Sequence, residues 1–455
     1  MRPIAFRLLV ATSLLMSAPA EPAVRPRYGG TLHMAMQSAP VSLDPADFNQ
    51  WNGPGLRSLA GLLFETLTFL DAQGGLKPGL ASSWQADPGN QRWRFYLRAG
   101  VTYADGTPLS PESVAASLRR NNASWKVSAA ADAIVIERDS PAPFLPAELA
   151  LLRNSVIKRD GGQILGTGPF VVSQWNPGKK LVLTARDQYW GGRVYLDTVD
   201  VDLGRNPRDQ MMAFDSGQAQ LVAVPAEQAR KAAVEGRHVT SSSPTELMAL
   251  VFDHASRSEA EAHQRQALAL SIDRDQINSV VLQAGGEPAG ALLPAWMTGY
   301  GFIFPAKFDL TAAQQERAEV PQAGVWTLSV DANDPVARVV AERIILGARD
   351  AGLRLQLATA AAADVRLLSV PLVSLEPHVA MIELAAALGL PAPAFSSGSV
   401  DDLYTAENAL LQTHQVISLL HLRRVWAAAP GLRGWTATGD GSWHLGDAWL
   451  AAGAP

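Results

Sequence analysis

The sequence predicts an α/β protein, because stretches with the periodicity of strands alternate with stretches that have the periodicity of helices. In the clearest unit, strand patterns at residues 326–330 and 353–357 flank an amphipathic helix pattern at residues 337–351. Gly352 follows that helix and suits its C-terminal cap. Strands joined in this way run parallel with a right-handed crossover. A chain of 455 residues, 47% of them hydrophobic, is long enough for about three domain-sized units.

The first residues have the composition of a secretory signal. Arg2 and Arg7 precede an apolar run at residues 8–16, and small residues at 18–20 suit a cleavage site. The run is shorter than the roughly 18 apolar residues that a stable membrane span needs. We therefore expect residues 1–20 to be a signal peptide, and the mature protein to be soluble and exported.

Charge and cysteine content exclude several classes of protein. The formal net charge is −5, and removal of the two arginines of the signal gives −7, since residues 1–20 contain no acid. This balance argues against nucleic acid or an anionic membrane as the main partner. The chain has no cysteine, which excludes disulfides, a lipid anchor on cysteine and cysteine-based catalysis or metal binding.

Strand signals are concentrated in a stretch punctuated by glycine and proline. Apolar and polar side chains alternate at residues 93–97, which predicts a strand with one buried face. A second short strand is predicted at residues 101–103, directly before the turn signal Asp105-Gly106.

Three helices are predicted from caps and apolar spacing. Ser110 suits an N-cap and Pro111 the first helical position, so we expect a helix at residues 111–118. Apolar faces predict further helices at residues 56–67 and 264–281.

These stretches resemble the family 5 extracellular solute-binding proteins, which are periplasmic peptide and nickel receptors of ABC importers. The matching segments share the order and the residue types of the family's motifs. They are residues 28–32 and 43–45, 80–84, 93–101, 105–114, 166–172, 189–199, 265–277 and 417–435.

The resemblance implies a two-lobed periplasmic-binding-protein fold of the type II or cluster C kind, with a trimmed extra subdomain in lobe I. It places the lobe I core at residues 27–60, 165–246 and 424–455, the satellite subdomain at 61–164, and lobe II at 247–423. It implies a monomer without cofactor or catalytic residues that closes on a small solute such as a peptide and delivers it to permease and ATPase subunits.

The resemblance also nominates residues for the cleft between the lobes. They are Asn49, Trp51, Asn52, Glu246, Met248, Val373, Ser374, Glu376 and Phe395. For Trp51, the alternative is that its side chain simply covers the neighbouring helix.

One family segment is altered at residues 370–377. Peptide-binding members carry a Trp and an Asp there, and the Asp pairs with the ligand's α-amine; this chain has Val370 and Val373 at those positions. Unless Glu376 or Glu246 substitutes, we expect a ligand without a free amine at that place, or a degenerate receptor.

Other classes of protein remain as alternatives. A repurposed receptor for a metal chelate, an opine or a sugar derivative fits the altered segment. An enzyme is disfavoured, because the sequence has no G-x-S-x-G or G-x-G-x-x-G motif. A related transcription regulator is disfavoured by the signal and the charge. The histidines show no paired metal-ligand spacing, so no metal site is predicted and His421 is interpreted as structural.

Overall fold

The computed structural model describes residues 25–51, 53–320, 324–332, 334–358, 363–395 and 397–451. The predicted signal peptide and the cleft candidate Asn52 lie outside the described residues, as does the side chain of Asn49.

The described strands range from two residues to fourteen. They are β1 (Thr31–Ala35), β2 (Thr68–Leu70), β3 (Leu76–Pro78), β4 (Ala81–Ala86), β5 (Arg92–Leu97), β6 (Lys126–Ala130), β7 (Ala133–Glu137), β8 (Lys158–Asp160), β9 (Gln163–Leu165), β10 (Phe170–Asn176), β11 (Lys180–Ala185), β12 (Thr198–Asp202), β13 (Leu221–Val224), β14 (Val239–Phe252), β15 (Gly286–Pro288), β16 (Val325–Ser329), β17 (Arg354–Leu357), β18 (Val365–Pro371), β19 (Val416–Ala428), β20 (Leu432–Arg433), β21 (Thr436–Ala437), β22 (Trp443–His444) and β23 (Trp449–Leu450).

The α-helices range from three residues to sixteen. They are α1 (Phe48–Trp51), α2 (Pro54–Gly61), α3 (Pro111–Asn121), α4 (Leu145–Glu148), α5 (Pro207–Asp215), α6 (Ala229–Val234), α7 (Glu259–Leu270), α8 (Arg274–Gln276), α9 (Ala295–Thr298), α10 (Leu310–Ala318), α11 (Pro335–Asp350), α12 (Pro377–Leu388) and α13 (Val400–Gln412).

Eleven of the described strands form one mixed sheet in the order β10-β11-β12-β1-β13-β19-β14-β18-β16-β17, with β15 added beside β19. Strand β1 pairs in parallel with β12 and β13, and β16 pairs in parallel with β17 and β18. The two longest strands, β14 and β19, pair antiparallel in the middle of the sheet. Backbone hydrogen bonds within this one sheet therefore join the two halves of the molecule.

The hydrophobic clusters divide the molecule into two lobes. Lobe I has its core around β1, β10, β11, β12 and α2. Lobe II has one cluster between the sheet and helices α7 and α11, and another between the sheet and helices α12 and α13. A two-lobed α/β fold is thereby confirmed.

The satellite subdomain has a core of its own, formed by the sheet β4-β5-β7-β6 and helix α3. Ser110 caps α3 through a reciprocal hydrogen bond with Ser113, so the predicted N-terminus is confirmed. The predicted domain boundaries near residues 246 and 423 fall inside the continuous strands β14 and β19. The exact division of the chain stays a prediction.

The helix predicted at residues 56–67 ends at Gly61, so the second half of that prediction is wrong. The carbonyls of Leu62 and Leu63 accept hydrogen bonds from the backbone N–H groups of Phe170 and Gly168 instead of continuing the helix. A Cβ atom at Gly166 would overlap the Leu63 carbonyl oxygen, so this close approach requires glycine.

Two other local predictions need correction. Residues 101–103 form only an isolated bridge, between Thr102 and Pro108, rather than a strand. The helix predicted at residues 264–281 is interrupted after Leu270, where the guanidinium of Arg274 donates to the carbonyls of Ala269, Ile272 and Ser418. The Ser418 carbonyl belongs to β19, so a contact across the fold ends the helix.

Candidate functional site

A cavity of about 440 Å³ lies between the two lobes. Lobe I and the satellite subdomain contribute α2, the segment that follows it, and residues around Leu151 and Trp190. Lobe II contributes Val373, Ser374 and Leu375, which follow β18. The C-terminal segment closes another side with residues 438–446, excluding Gly439 and Gly441. This volume is in the range of small-molecule sites.

The satellite subdomain contacts lobe II beside the cavity. The guanidinium of Arg153 forms two hydrogen bonds to the carboxylate of Glu383, one of them 2.7 Å long from Nη2 to Oε1. The ring of Phe144 stacks on His378 with centroids 4.1 Å apart, and Phe395 meets both rings edge-on. We call this set, Phe144, Arg153, His378, Glu383 and Phe395, the lobe junction. It joins the satellite subdomain to lobe II.

A small apolar cluster continues the lobe junction towards the cavity. Ala147 and Leu151 of the satellite subdomain pack with Val379 of lobe II, and Val373 packs against them. Residues from both sides therefore form one buried patch. Closure of the lobes removes this apolar surface from water, which favours the closed state.

Two ion pairs lie where α2 and the C-terminal segment meet the central strands. Glu246 of β14 pairs with Arg424 of β19, and Arg57 lies 3.7 Å from Asp440. Burial raises the pKa of Asp440, but the Arg57 charge and the hydroxyls of Ser442 and Thr438 outweigh it, so that this pKa lies below its usual value. The Asp440 carboxylate is thus held ionised inside the protein.

Glu65 is a lining carboxylate that the sequence prediction of the site missed. It accepts hydrogen bonds from the hydroxyls of Thr167 and Tyr189 and from the indole N–H of Trp190, at 2.7 to 2.9 Å. Burial nevertheless raises its pKa. The signal in the sequence was the Tyr189-Trp190 pair, since buried aromatic polar groups need a hydrogen-bond acceptor.

The structure places the predicted cleft residues in different surroundings. Val373 and Ser374 line the cavity, and Ser374 is 5% exposed. Trp51 is buried in the lobe I core and Met248 in the lobe II core. Phe395 lies at the lobe junction.

The two acids considered as substitutes for the Asp that the resemblance implies at residue 373 are both engaged elsewhere. Glu246 pairs with Arg424. Glu376 caps α12 by accepting the N–H of Val379 at 2.7 Å, and its other oxygen lies 2.9 Å from Nδ1 of His378. Each of the two carboxylates therefore has protein partners, and neither is a lone charge in the cavity.

The described residues hold no group of three or more His, Asp or Glu side chains arranged to bind a metal ion. His421 lies buried in β19, where its Nε2–H donates to the carbonyl of Leu292 at 3.0 Å. Burial lowers its pKa to about 4, so the ring is neutral at pH 7. Its position supports the structural role.

His421 should make the protein sensitive to acid. Because its pKa is about 4 in the folded chain and about 6.5 when unfolded, its contribution to stability is complete above pH 6.5 and is lost as the pH falls towards 4. Over this pH range, the contribution of His421 to the free energy of unfolding falls by about 3 kcal/mol. In urea titrations, we expect the stability advantage of the wild type over His421→Gln to shrink by that order between pH 7 and 4.

His263 provides a control of the opposite sign. Its hydrogen bond to Glu316 raises its pKa, so its contribution is present at low pH and is lost as the pH rises. The advantage of the wild type over His263→Gln should therefore grow on acidification. If the stability advantage of the wild type over His421→Gln does not change with pH, burial of a neutral His421 ring does not explain the acid sensitivity.

None of the helices in the described ranges is long and apolar enough to cross a membrane. The fold and the interlobe cavity define a class, the two-lobed solute-binding proteins. A family model described as "Bacterial extracellular solute-binding proteins, family 5 Middle" matches residues 75–370, more than half of the chain. The chain belongs to this family, and the resemblance stated from the sequence is confirmed.

Curated relatives agree with the family. The chain is 25% identical over 362 residues to "Probable D,D-dipeptide-binding periplasmic protein DdpA" of Escherichia coli, covering 71% of this chain and 67% of that protein. It is 23% identical over 322 residues to the "Nickel-binding periplasmic protein" of the same organism, covering 64% and 60%. The matches thus span about two thirds or less of these relatives.

Solved structures share the fold along nearly the whole chain. DppA from Helicobacter pylori, in complex with the peptide STSA, superposes with a TM-score of 0.77 at 18% identity, covering 92% of this chain and 99% of that one. NikA from Staphylococcus aureus, in complex with Ni(L-His)2, gives 0.75 at 17% identity, covering 92% and 100%. At these identities the likeness establishes the fold.

Proposed function

We propose that this chain is the periplasmic receptor of an ABC importer. It captures a small solute between its lobes and delivers it, unaltered, to permease and ATPase subunits. The observation that carries the proposal is the cavity enclosed by residues of both lobes, with β14 and β19 as the connections on which the lobes move. A ligand that contacts both walls binds the closed state better and shifts the population towards it.

Several parts of the proposal rest on family membership. The relatives are named as binding proteins, some of them periplasmic, which supports a non-enzymatic role and the predicted export. Their names include a dipeptide and nickel as ligands, so the family accommodates different solutes. A monomer remains the expected form, and Val373 and Ser374 remain the proposed contacts from lobe II.

A disulfide between the satellite subdomain and lobe II, formed beside the cavity, tests whether the lobes open and close. A Cβ atom built at Gly74 lies 3.4 Å from Cβ of Leu375, close to the separation of about 3.5–4.5 Å found in disulfides. Gly74 belongs to the satellite subdomain and Leu375 to lobe II. The chain has no other cysteine, so the double variant Gly74→Cys/Leu375→Cys has a unique pair of thiols.

We expect the oxidised double variant to stay closed and the reduced one to open. The measurement is small-angle X-ray scattering, in which the reduced form should have the larger radius of gyration in the absence of solute. The single variant Gly74→Cys shares the backbone strain of a side chain at φ +81° but cannot form the bond, so it is the matched control. Identical scattering from oxidised and reduced protein would show that the lobes do not move, and the proposal would fail.

The altered segment around Val373 favours one second candidate. A repurposed receptor for a non-peptide solute would keep the closure mechanism while changing the walls of the cavity. The chemistry of those walls decides which solutes are compatible.

A further inference from the structure

The hydroxyl groups in the cavity wall are hydrogen-bonded within the wall. Ser58 donates to the carbonyl of Pro54 and accepts from the N–H of Trp443 at 2.7 Å. Thr66 donates to the carbonyl of Thr68, and Ser155 donates to that of Leu152, each at 2.6 Å. The hydrogens of these three hydroxyls point to protein partners, which leaves the solute none of them as a donor.

The lining carboxylates are likewise compensated from within the protein. Glu65 accepts three hydrogen bonds from Thr167, Tyr189 and Trp190. Asp71 accepts the backbone N–H groups of Gly75 and Gln73 and pairs with Lys77. Asp440 accepts from Ser442 and Thr438 and lies beside Arg57. A cationic group of a solute would find Asp71 and Asp440 already paired with Lys77 and Arg57, and Glu65 already accepting three hydrogen bonds.

The wall from lobe II is largely apolar. Val373 packs into the cluster that joins the lobes, and Leu375 packs against Gly74. The hydroxyl of Ser374 accepts the N–H of Glu376 at 3.1 Å. Lobe II therefore offers apolar contact, with no charged side chain, from these three residues.

We infer that the cavity takes an uncharged, mainly apolar solute rather than a zwitterionic peptide. The inference rests on the proposed function, since it concerns the same cavity. Desolvation of an ammonium or carboxylate group is strongly unfavourable unless a partner compensates it, and the acids of this wall are committed to the protein. Apolar surface, by contrast, gains from burial against Leu62, Leu151, Val373 and Trp190.

Nile red is a suitable probe, because it is uncharged and its emission shifts to shorter wavelength in an apolar site. We expect it to bind wild-type protein and the reduced Gly74→Cys/Leu375→Cys variant, and to be excluded from the oxidised variant. Competition then compares Leu-Leu with N-acetyl-Leu-Leu-amide, which carry the same side chains with and without terminal charges. The capped compound should displace the dye at a concentration at least ten-fold lower.

A charge placed on the wall should reverse this preference. Val373→Asp adds a carboxylate at a half-buried position that lines the cavity, and should improve displacement by Leu-Leu at least ten-fold. Val373→Asn has nearly the same shape without the charge and should keep the wild-type ratio. Circular dichroism melting of both variants shows whether they fold.

Four results would overturn the inference: no shift in Nile red emission, equal dye binding to the oxidised variant, Leu-Leu displacing the dye as well as the capped compound, or an unchanged ratio in folded Val373→Asp. If neither compound displaces a dye that the disulfide excludes, the expected displacement by the capped compound has failed, and the preference for uncharged over zwitterionic solutes is contradicted. Failure of the proposed function is recognised separately, because scattering would then not differ between the oxidised and reduced double variant.

Discussion

Glu383→Ala is expected to open the lobes of the solute-free protein. The variant removes both hydrogen bonds that Arg153 makes to lobe II, in a pair whose side chains are only 25% and 10% exposed. Hydrogen bonds to charged groups contribute about 1.5–3 kcal/mol, which corresponds to a shift in the closed-to-open ratio of roughly ten-fold to a hundred-fold. The radius of gyration from small-angle scattering should exceed that of the wild type and of the reduced disulfide variant, since both keep the Arg153–Glu383 pair.

Arg153 stays near Glu148 in this variant, so its charge keeps a partner within its own subdomain. The remaining aromatic contacts of the lobe junction hold part of the closed population. Phe144→Ala in addition to Glu383→Ala should therefore open the protein further. The control is Glu342→Ala, which removes an exposed ion pair with Arg338 on lobe II and should leave scattering unchanged. Unaltered scattering for Glu383→Ala would mean that the junction does not hold the lobes.

Arg265→Ala should cause the largest loss of stability among the variants proposed. The guanidinium is 1% exposed and donates to the carbonyls of His254 and His414 at 2.7 and 2.9 Å. It also pairs with Glu261 and lies 4.0 Å from the ring centroid of Phe252. Removal of the side chain leaves two carbonyls without this donor and the Glu261 carboxylate without its guanidinium partner, at a cost of about 3–5 kcal/mol.

Urea unfolding followed by circular dichroism measures this loss. Arg338→Ala is the matched control, because Arg338 and Glu342 have the same four-residue spacing as Glu261 and Arg265 but are largely exposed. We expect a change of about 0.5 kcal/mol or less there. Arg265→Lys should fall between the two, since lysine keeps the charge but lacks the planar fork. Equal losses of stability in Arg265→Ala and Arg338→Ala would show that burial of the Arg265 guanidinium does not increase its contribution to stability.

Local signals in the sequence were reliable where neighbours along the chain decide the structure. The cap at Ser110 and the strand-helix-strand unit β16-α11-β17 were predicted from adjacent residues and are confirmed. Errors arose where distant parts of the chain meet. Helix α2 stops at Gly61 because the loop around Gly168 takes its next carbonyls, and the helix after α7 is broken by Arg274 reaching β19.

The sequence by itself determined the α/β class and the family, because these depend on residue types in a fixed order. Only the tertiary structure decided which side chains surround the cavity and join the lobes. Arg153 and Glu383 are 230 residues apart, and Glu65 meets Trp190 across 125. Such contacts have no periodicity along the chain, since they arise when the packing of the lobes brings separate elements together.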